Sequence, residues 1–195
     1  MKTERLKIGD KTKFFWTNFI KGFIWTLFIV GAYVVIKNYF GFDWEEAFKP
    51  YLENKVLIYS IYTLSELMFG IIPPEFFMIW GLSSGYLIDY ISIVSLLAVI
   101  SYVAGFVGFL FGDFLKTTVT FRYIRKRFLS RYQPLVIKYG AFLILVAAMT
   151  PLPFSAIAML TGSFHFPVKK YLFWSLSRFL RFALYAVIVW EANML

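Results

Sequence analysis

The sequence predicts an all-α integral membrane protein: an inverted repeat with two re-entrant helical hairpins and about three full transmembrane spans. Three observations carry this expectation. First, the 195 residues are 60% hydrophobic with a mean hydropathy of +0.70, where soluble domains hold about 45–50% apolar residues. Second, the apolar residues fall in long runs, and two of those runs are broken by prolines, at Pro73-Pro74 and at Pro151 and Pro153. Third, the Lys and Arg residues are divided unequally among the segments that separate the runs.

The elements follow in order. Residues 1–13 are charged and are expected to be cytoplasmic. Residues 14–36 form an apolar run interrupted by Lys21, longer than the about 20 residues needed to cross a bilayer. The run exceeds a signal-peptide core and no small-x-small site follows it, so it reads as an uncleaved anchor. Residues 37–55 are a polar linker of net charge −1, expected on the external side. Residues 56–89 are apolar but interrupted. As helices, 56–72 would be roughly 25 Å long and 75–88 roughly 20 Å. Neither comfortably crosses about 30 Å of hydrocarbon, so a hairpin that enters and returns fits better. Residues 90–112 form a clean span. Residues 113–139 carry seven Lys or Arg against one acid, Asp113. Within them "FRYIRKRFLSRYQP" alternates basic and aromatic residues, as expected of an interfacial helix on anionic headgroups. Residues 140–166 form the second broken segment, with arms 141–150 and 154–166, and 169–192 the last span, which carries Arg178 and Arg181.

Basic residues test this layout. With both broken segments re-entrant, fourteen of the twenty Lys and Arg flank the cytoplasmic face and three lie outside, while Lys21, Arg178 and Arg181 sit within spans. Full crossings would instead place the basic 113–139 segment opposite the basic N-terminus, against the positive-inside rule. The pattern span, linker, broken hairpin then occurs twice, over 14–88 and 90–166, in opposite orientations. Paired broken segments of this kind point to a midplane binding site.

The chemistry gathers at the breaks. Two consecutive prolines end a helix, and broken backbone at membrane depth persists only where protein or a water-filled cavity covers it. Glu75 follows the pair, where its carboxylate can cap the free amides of a helix start. Glu66 lies nine residues earlier. A hairpin allows both acids to face one cavity, and an intramembrane acid is a candidate for proton transfer. Structural pairing with Arg178 or Arg181 is the plainer reading of Glu66. The two arginines are three apart and share a helix face. Together they can bind a phosphate, neutralise the two acids, or anchor headgroups.

These residues resemble the DedA-like family, also called VTT-domain or SNARE-associated Golgi-type membrane proteins, over roughly residues 65–190. "ELMFGIIPPEFFMIWG" is similar to the family's acid, Pro-x-acid and Gly re-entrant motif, and places Glu66, Pro73, Pro74 and Glu75 at its functional positions. "YVAGFVGFLFGD" resembles its small-residue helix, ending here in Gly112-Asp113. "KYGAFLILVAAMTPLPFSAIAMLTGSFHFPVKKYLFW" resembles the second re-entrant segment, with Pro151, Pro153 and Gly162. The chain departs from the pattern in carrying Pro-Pro-Glu for Pro-Gly-Glu, and residues such as Ala148 and Ser155 where the second motif has arginines. The region resembles the shorter bacterial branch of the family more than the branch best linked to polyprenyl-phosphate recycling.

The resemblance implies a lipid transporter of the bacterial inner membrane, a flippase or scramblase of phospholipid or polyprenyl-phosphate headgroups, with some members proton-dependent. The implied partners are membrane lipids with anionic headgroups, protons and further copies of the chain. A net charge of +9 is read as topology and headgroup attraction, not nucleic-acid binding. Two alternatives remain: an ion- or proton-coupled solute transporter, which would enclose its site, and a non-transporting assembly factor. An enzyme is not expected. The single histidine, His165, sits at a hairpin end, and no Gly-x-Ser-x-Gly, His-Glu-x-x-His or phosphate-binding glycine loop occurs. No cofactor or metal is implied, and the absence of cysteine removes thiolate ligands and disulfides.

Overall fold

A computed structural model describes residues 54–118, 133–150 and 152–194, with isolated positions between 16 and 35. The described residues are helical and contain no strand. Among the described residues from 54 onward, seven α-helices run in order: α1 Lys55–Leu67, α2 Pro74–Gly81, α3 Leu87–Leu115, α4 Gln133–Met149, α5 Phe154–Ser163, α6 Val168–Ser175 and α7 Ser177–Met194. The expected interfacial stretch after Thr118, most of the first span 14–36 and the linker 37–53 lie outside the described residues.

Among the described residues two stretches are long and apolar enough to cross a membrane, Leu87–Leu115 and Val168–Asn193. At 1.5 Å per residue, the 29 residues of α3 reach about 44 Å, beyond the hydrocarbon thickness. The second stretch comprises α6 and α7, which meet at Leu176. There Ser175 Oγ donates to the Leu172 carbonyl and Ser177 Oγ to that of Trp174. Hydroxyls bonded back to the preceding turn bend a helix, which accounts for the interruption.

The first broken segment has shorter arms than its apolar run suggests, whereas the first arm of the second segment, expected over 141–150, starts earlier and is longer. α1 opens on Asn54, whose side chain accepts from Leu57 N at 3.1 Å, and stops at Leu67. Phe69 and Gly70 both take φ near +70°, which no right-handed helix can continue. Ser65 closes this turn, its Oγ accepting from Ile72 N at 2.8 Å. α2 then starts on Pro74, with fixed φ suited to a first helical position. It ends eight residues later in a 3-10 turn, Leu82–Ser84, capped by left-handed Gly85. In the second segment α4 is 17 residues long and begins within the basic stretch, and α5 begins after Pro153. His165, exposed and at φ 63°, makes the turn into α6.

The core has two centres. One packs Tyr62, Phe77, Met78, Tyr90, Leu97 and Phe182, together with Val30 of the N-terminal region. The other packs Phe109, Ile144, Phe154, Ala158, Phe166 and Tyr171. α5 is drawn onto α3 by a glycine face. A Cβ at Gly105 would stand 2.2 Å from Phe154 Cε1, one at Gly112 2.0 Å from the Met159 carbonyl oxygen, and one at Gly162 2.1 Å from that of Phe109. Close backbone approach through small residues is a main source of helix association in lipid. Here it also brings the start of α5 to the middle of α3.

Candidate functional site

Arg178 and Arg181 lie one turn apart on α7, both buried. Each reaches a different acid. Arg178 Nη2 donates to Glu66 Oε2 at 3.0 Å and to Oε1 at 3.2 Å, and also to Ser101 Oγ of α3. Its guanidinium lies over the Phe154 ring, 4.2 Å from the centroid. Arg181 Nη2 donates to Glu75 Oε1 at 3.2 Å, Nη1 donates to the Thr150 carbonyl at 2.9 Å, and the group faces the Tyr185 ring. Tyr62, one turn before Glu66, donates its hydroxyl to Glu66 Oε1 at 3.2 Å.

The two proline breaks produce the groups that α7 collects. The last carbonyls of a helix lack internal donors. Thr150 ends α4 just before the proline-rich break, and Arg181 supplies a donor to its carbonyl. Glu66, in the last turn of α1, has its carbonyl satisfied across the molecule by Ser155 Oγ of α5 at 2.6 Å. The pattern is crossed: the end of α1 bonds to the start of α5, and Arg181 ties the start of α2 to the end of α4. Four half-helix ends therefore meet about one helix face. Glu75 lies in the first turn of α2, where the helix dipole favours a carboxylate.

The acids are sealed, Glu66 3% and Glu75 1% exposed. They face guanidinium groups in a closed interior, not the open cavity expected from their position beside the breaks. An apolar groove of about 550 Å³ is open nearby, lined by Val56, Tyr59, Ser60, Thr63 and Leu64 of α1. It ends within a turn of Glu66. A buried ion pair adds little stability over well-packed apolar residues, because desolvation cancels most of the attraction.

The structure thus brings together Glu66, Glu75, Arg178 and Arg181, with Pro73 and Pro74 initiating α2 and Pro153 preceding α5. Pro151 lies outside the described residues. Gly112, Asp113 and Gly162 are elsewhere. Gly112 and Gly162 are contact points of α3 with α5, and Asp113 pairs with Lys116 of the following turn. Sequence reasoning did not single out Tyr62, Ser101, Thr150, Phe154, Tyr171 or Tyr185. Ser101, a buried hydroxyl midway along an apolar span, is one of several hydroxyl residues there, so no local signal distinguished it.

Fold and site define a helical membrane protein with a buried, self-neutralised charge cluster where two broken segments meet. A family model for the VTT domain matches residues 72–191, more than half of the chain, and the chain belongs to that family, the domain of the DedA and SNARE-associated Golgi proteins. Members are membrane-associated, often linked to transport or other membrane functions, and are generally not enzymes. The match takes in Glu75, Arg178 and Arg181 but begins after Glu66. No curated protein and no solved structure matches the chain.

Proposed function

We propose that the protein moves anionic lipid headgroups, of phospholipid or polyprenyl-phosphate type, across the bacterial inner membrane, with both broken segments re-entrant and the N-terminus cytoplasmic. The observation that carries this is the Arg178–Arg181 face, held at the crossing of four half-helix ends. Guanidiniums are strong phosphate ligands, and broken helices in paired repeats supply such sites at membrane depth. Membership of a membrane-transport-linked family supports the same reading. In this conformation the site is closed, as in a carrier between its two open states.

Closure also favours a second reading, a proton-coupled solute transporter with an enclosed site. Reconstituted liposomes separate the two. Labelled phospholipid and a short polyprenyl phosphate are assayed at two pH values for wild type and Glu75→Gln. We expect flipping by wild type and its loss in a mutant that still inserts. Absence of flipping of both lipids by well-folded wild type rejects lipid transport and leaves the solute reading.

A further inference from the structure

The two packing centres divide the described residues into halves. Helices α1, α2 and α7 pack with Tyr90, Val94, Leu97 and Ala98 of α3 about the first centre. Helices α4, α5 and α6 pack with Phe109 of α3 about the second. Two stretches of helix run from one centre into the other. α3 crosses the boundary unbroken. The α6–α7 stretch is broken there: Tyr171, Leu172 and Trp174 belong to the second centre, Phe179 and Phe182 to the first, and Leu176 lies between.

The backbone at this break is wound more tightly than an α-helix. The N–H of Leu176 donates to the Phe173 carbonyl at 3.4 Å and that of Phe179 to the Leu176 carbonyl at 3.0 Å, each three residues back. Such a pattern inside a longer helix marks a hinge or a strained sequence. No proline or glycine stands in "FWSLSRF", residues 173–179, to force the break. Side chains hold it instead. Ser175 Oγ donates to the Leu172 carbonyl at 3.0 Å and Ser177 Oγ to that of Trp174 at 2.7 Å. The Leu172 carbonyl takes a second bond, at 3.3 Å, from the hydroxyl of Tyr102 on α3. The Tyr102 ring packs on that of Phe179, centroids 5.5 Å apart. Tyr102 therefore touches both sides of the break, its hydroxyl on α6 and its ring on α7. Hydroxyl bonds are modest and exchangeable for main-chain donors, whereas a proline kink is permanent.

We propose that the Ser175–Ser177 joint is a hinge on which the two packed halves rock, with Tyr102 as its latch. A few residues at the ends of packed elements, absorbing the change in backbone angle, are what such motions use. In the described form the angle is also fixed by bonds between the halves, from Ser155 to the Glu66 carbonyl and from Arg181 to that of Thr150. The hinge goes beyond the transport reading and does not depend on what is carried.

The chain has no cysteine, so introduced cysteine pairs carry spin labels without background. Lys169→Cys/Val187→Cys labels exposed positions of α6 and α7, and Leu87→Cys/Leu110→Cys labels exposed positions far apart on unbroken α3. Distance distributions are measured on the full chain in liposomes. Lys169 stands about 10 Å from the joint, so a further bend of about 20° moves its label by about 3–4 Å. In Tyr102→Phe, which keeps the ring on Phe179, we expect the α6–α7 distribution to widen by about that amount. In Ser175→Ala/Ser177→Ala the Leu172 and Trp174 carbonyls return to main-chain donors, and a longer, narrower distribution is expected. The α3 pair is expected to stay unchanged in both. An α6–α7 distribution unmoved in Tyr102→Phe overturns the proposal. So does a folded serine variant that neither lengthens nor narrows it, or equal widening of the α3 pair, the mark of general loosening. Absence of lipid flipping leaves the hinge standing, and a rigid joint leaves the transport reading standing, so the two fail separately.

Discussion

Arg181 touches both breaks, and replacing it with methionine tests whether that bridge holds the two segments together. The variant keeps length and apolar bulk but leaves Glu75 buried without its guanidinium. Removing one partner of a buried pair costs about 3–5 kcal/mol, because the remaining charge is uncompensated. The carbonyl of Thr150 also loses a charged donor now 2.9 Å away, a further cost of about 1–2 kcal/mol. The pair's side chains are 9% and 2% exposed, so water offers little screening. We therefore expect a loss of about 4–7 kcal/mol for Arg181→Met and recovery of about half of it in Arg181→Met/Glu75→Gln, where no charge is stranded. Equilibrium unfolding in mixed micelles measures both. Amide exchange is expected to quicken at the start of α2 and the end of α4 together. A single-variant cost below about 1 kcal/mol, or a double variant equal to the sum of its singles, would refute the view that this pair locks the breaks.

Other substitutions test the surrounding frame. Gly112→Ala and Gly162→Ala each drive a methyl group into a carbonyl oxygen about 2 Å away and are expected to lower stability by at least about 1–3 kcal/mol, read as a fall in melting temperature. Gly108→Ala, with 3.2 Å to the Ser155 carbonyl oxygen, is expected to be milder. Ser155→Ala removes the donor to the Glu66 carbonyl and is expected to cost about 1 kcal/mol in the same melt. Ser101→Ala takes one partner from Arg178, and a reduced transport rate with normal insertion is the expected readout.

Much of this arrangement was legible in the sequence because the signals are local. Prolines end helices wherever they stand, so breaks at Pro73-Pro74 and before Phe154 follow from residue type alone. A charged side chain in an apolar run demands a partner, which made Glu66, Glu75, Arg178 and Arg181 visible as a set. Which arginine meets which acid was not legible. It depends on α5 seating against the glycine face of α3, a contact between residues such as Gly112 and Met159 that no local pattern encodes. The arms of the first broken segment were overestimated for a related reason. Apolarity continues through Phe69 and Ile71, but their exposed turn is set by left-handed backbone at Phe69 and Gly70 and by the clamp from Ser65. Hydropathy does not register backbone handedness. Gly112 and Gly162, expected from the motif, prove to be packing positions remote from the charges.

The crossed bonding has a consequence for how the site opens. Arg178 holds α1 and Arg181 holds both α2 and α4, but only the first broken segment carries the paired acids, so only its departure from α7 strands a buried charge. At several kcal/mol per stranded charge, the two ion pairs hold α1 and α2 on α7 more firmly than the carbonyl bond holds α4.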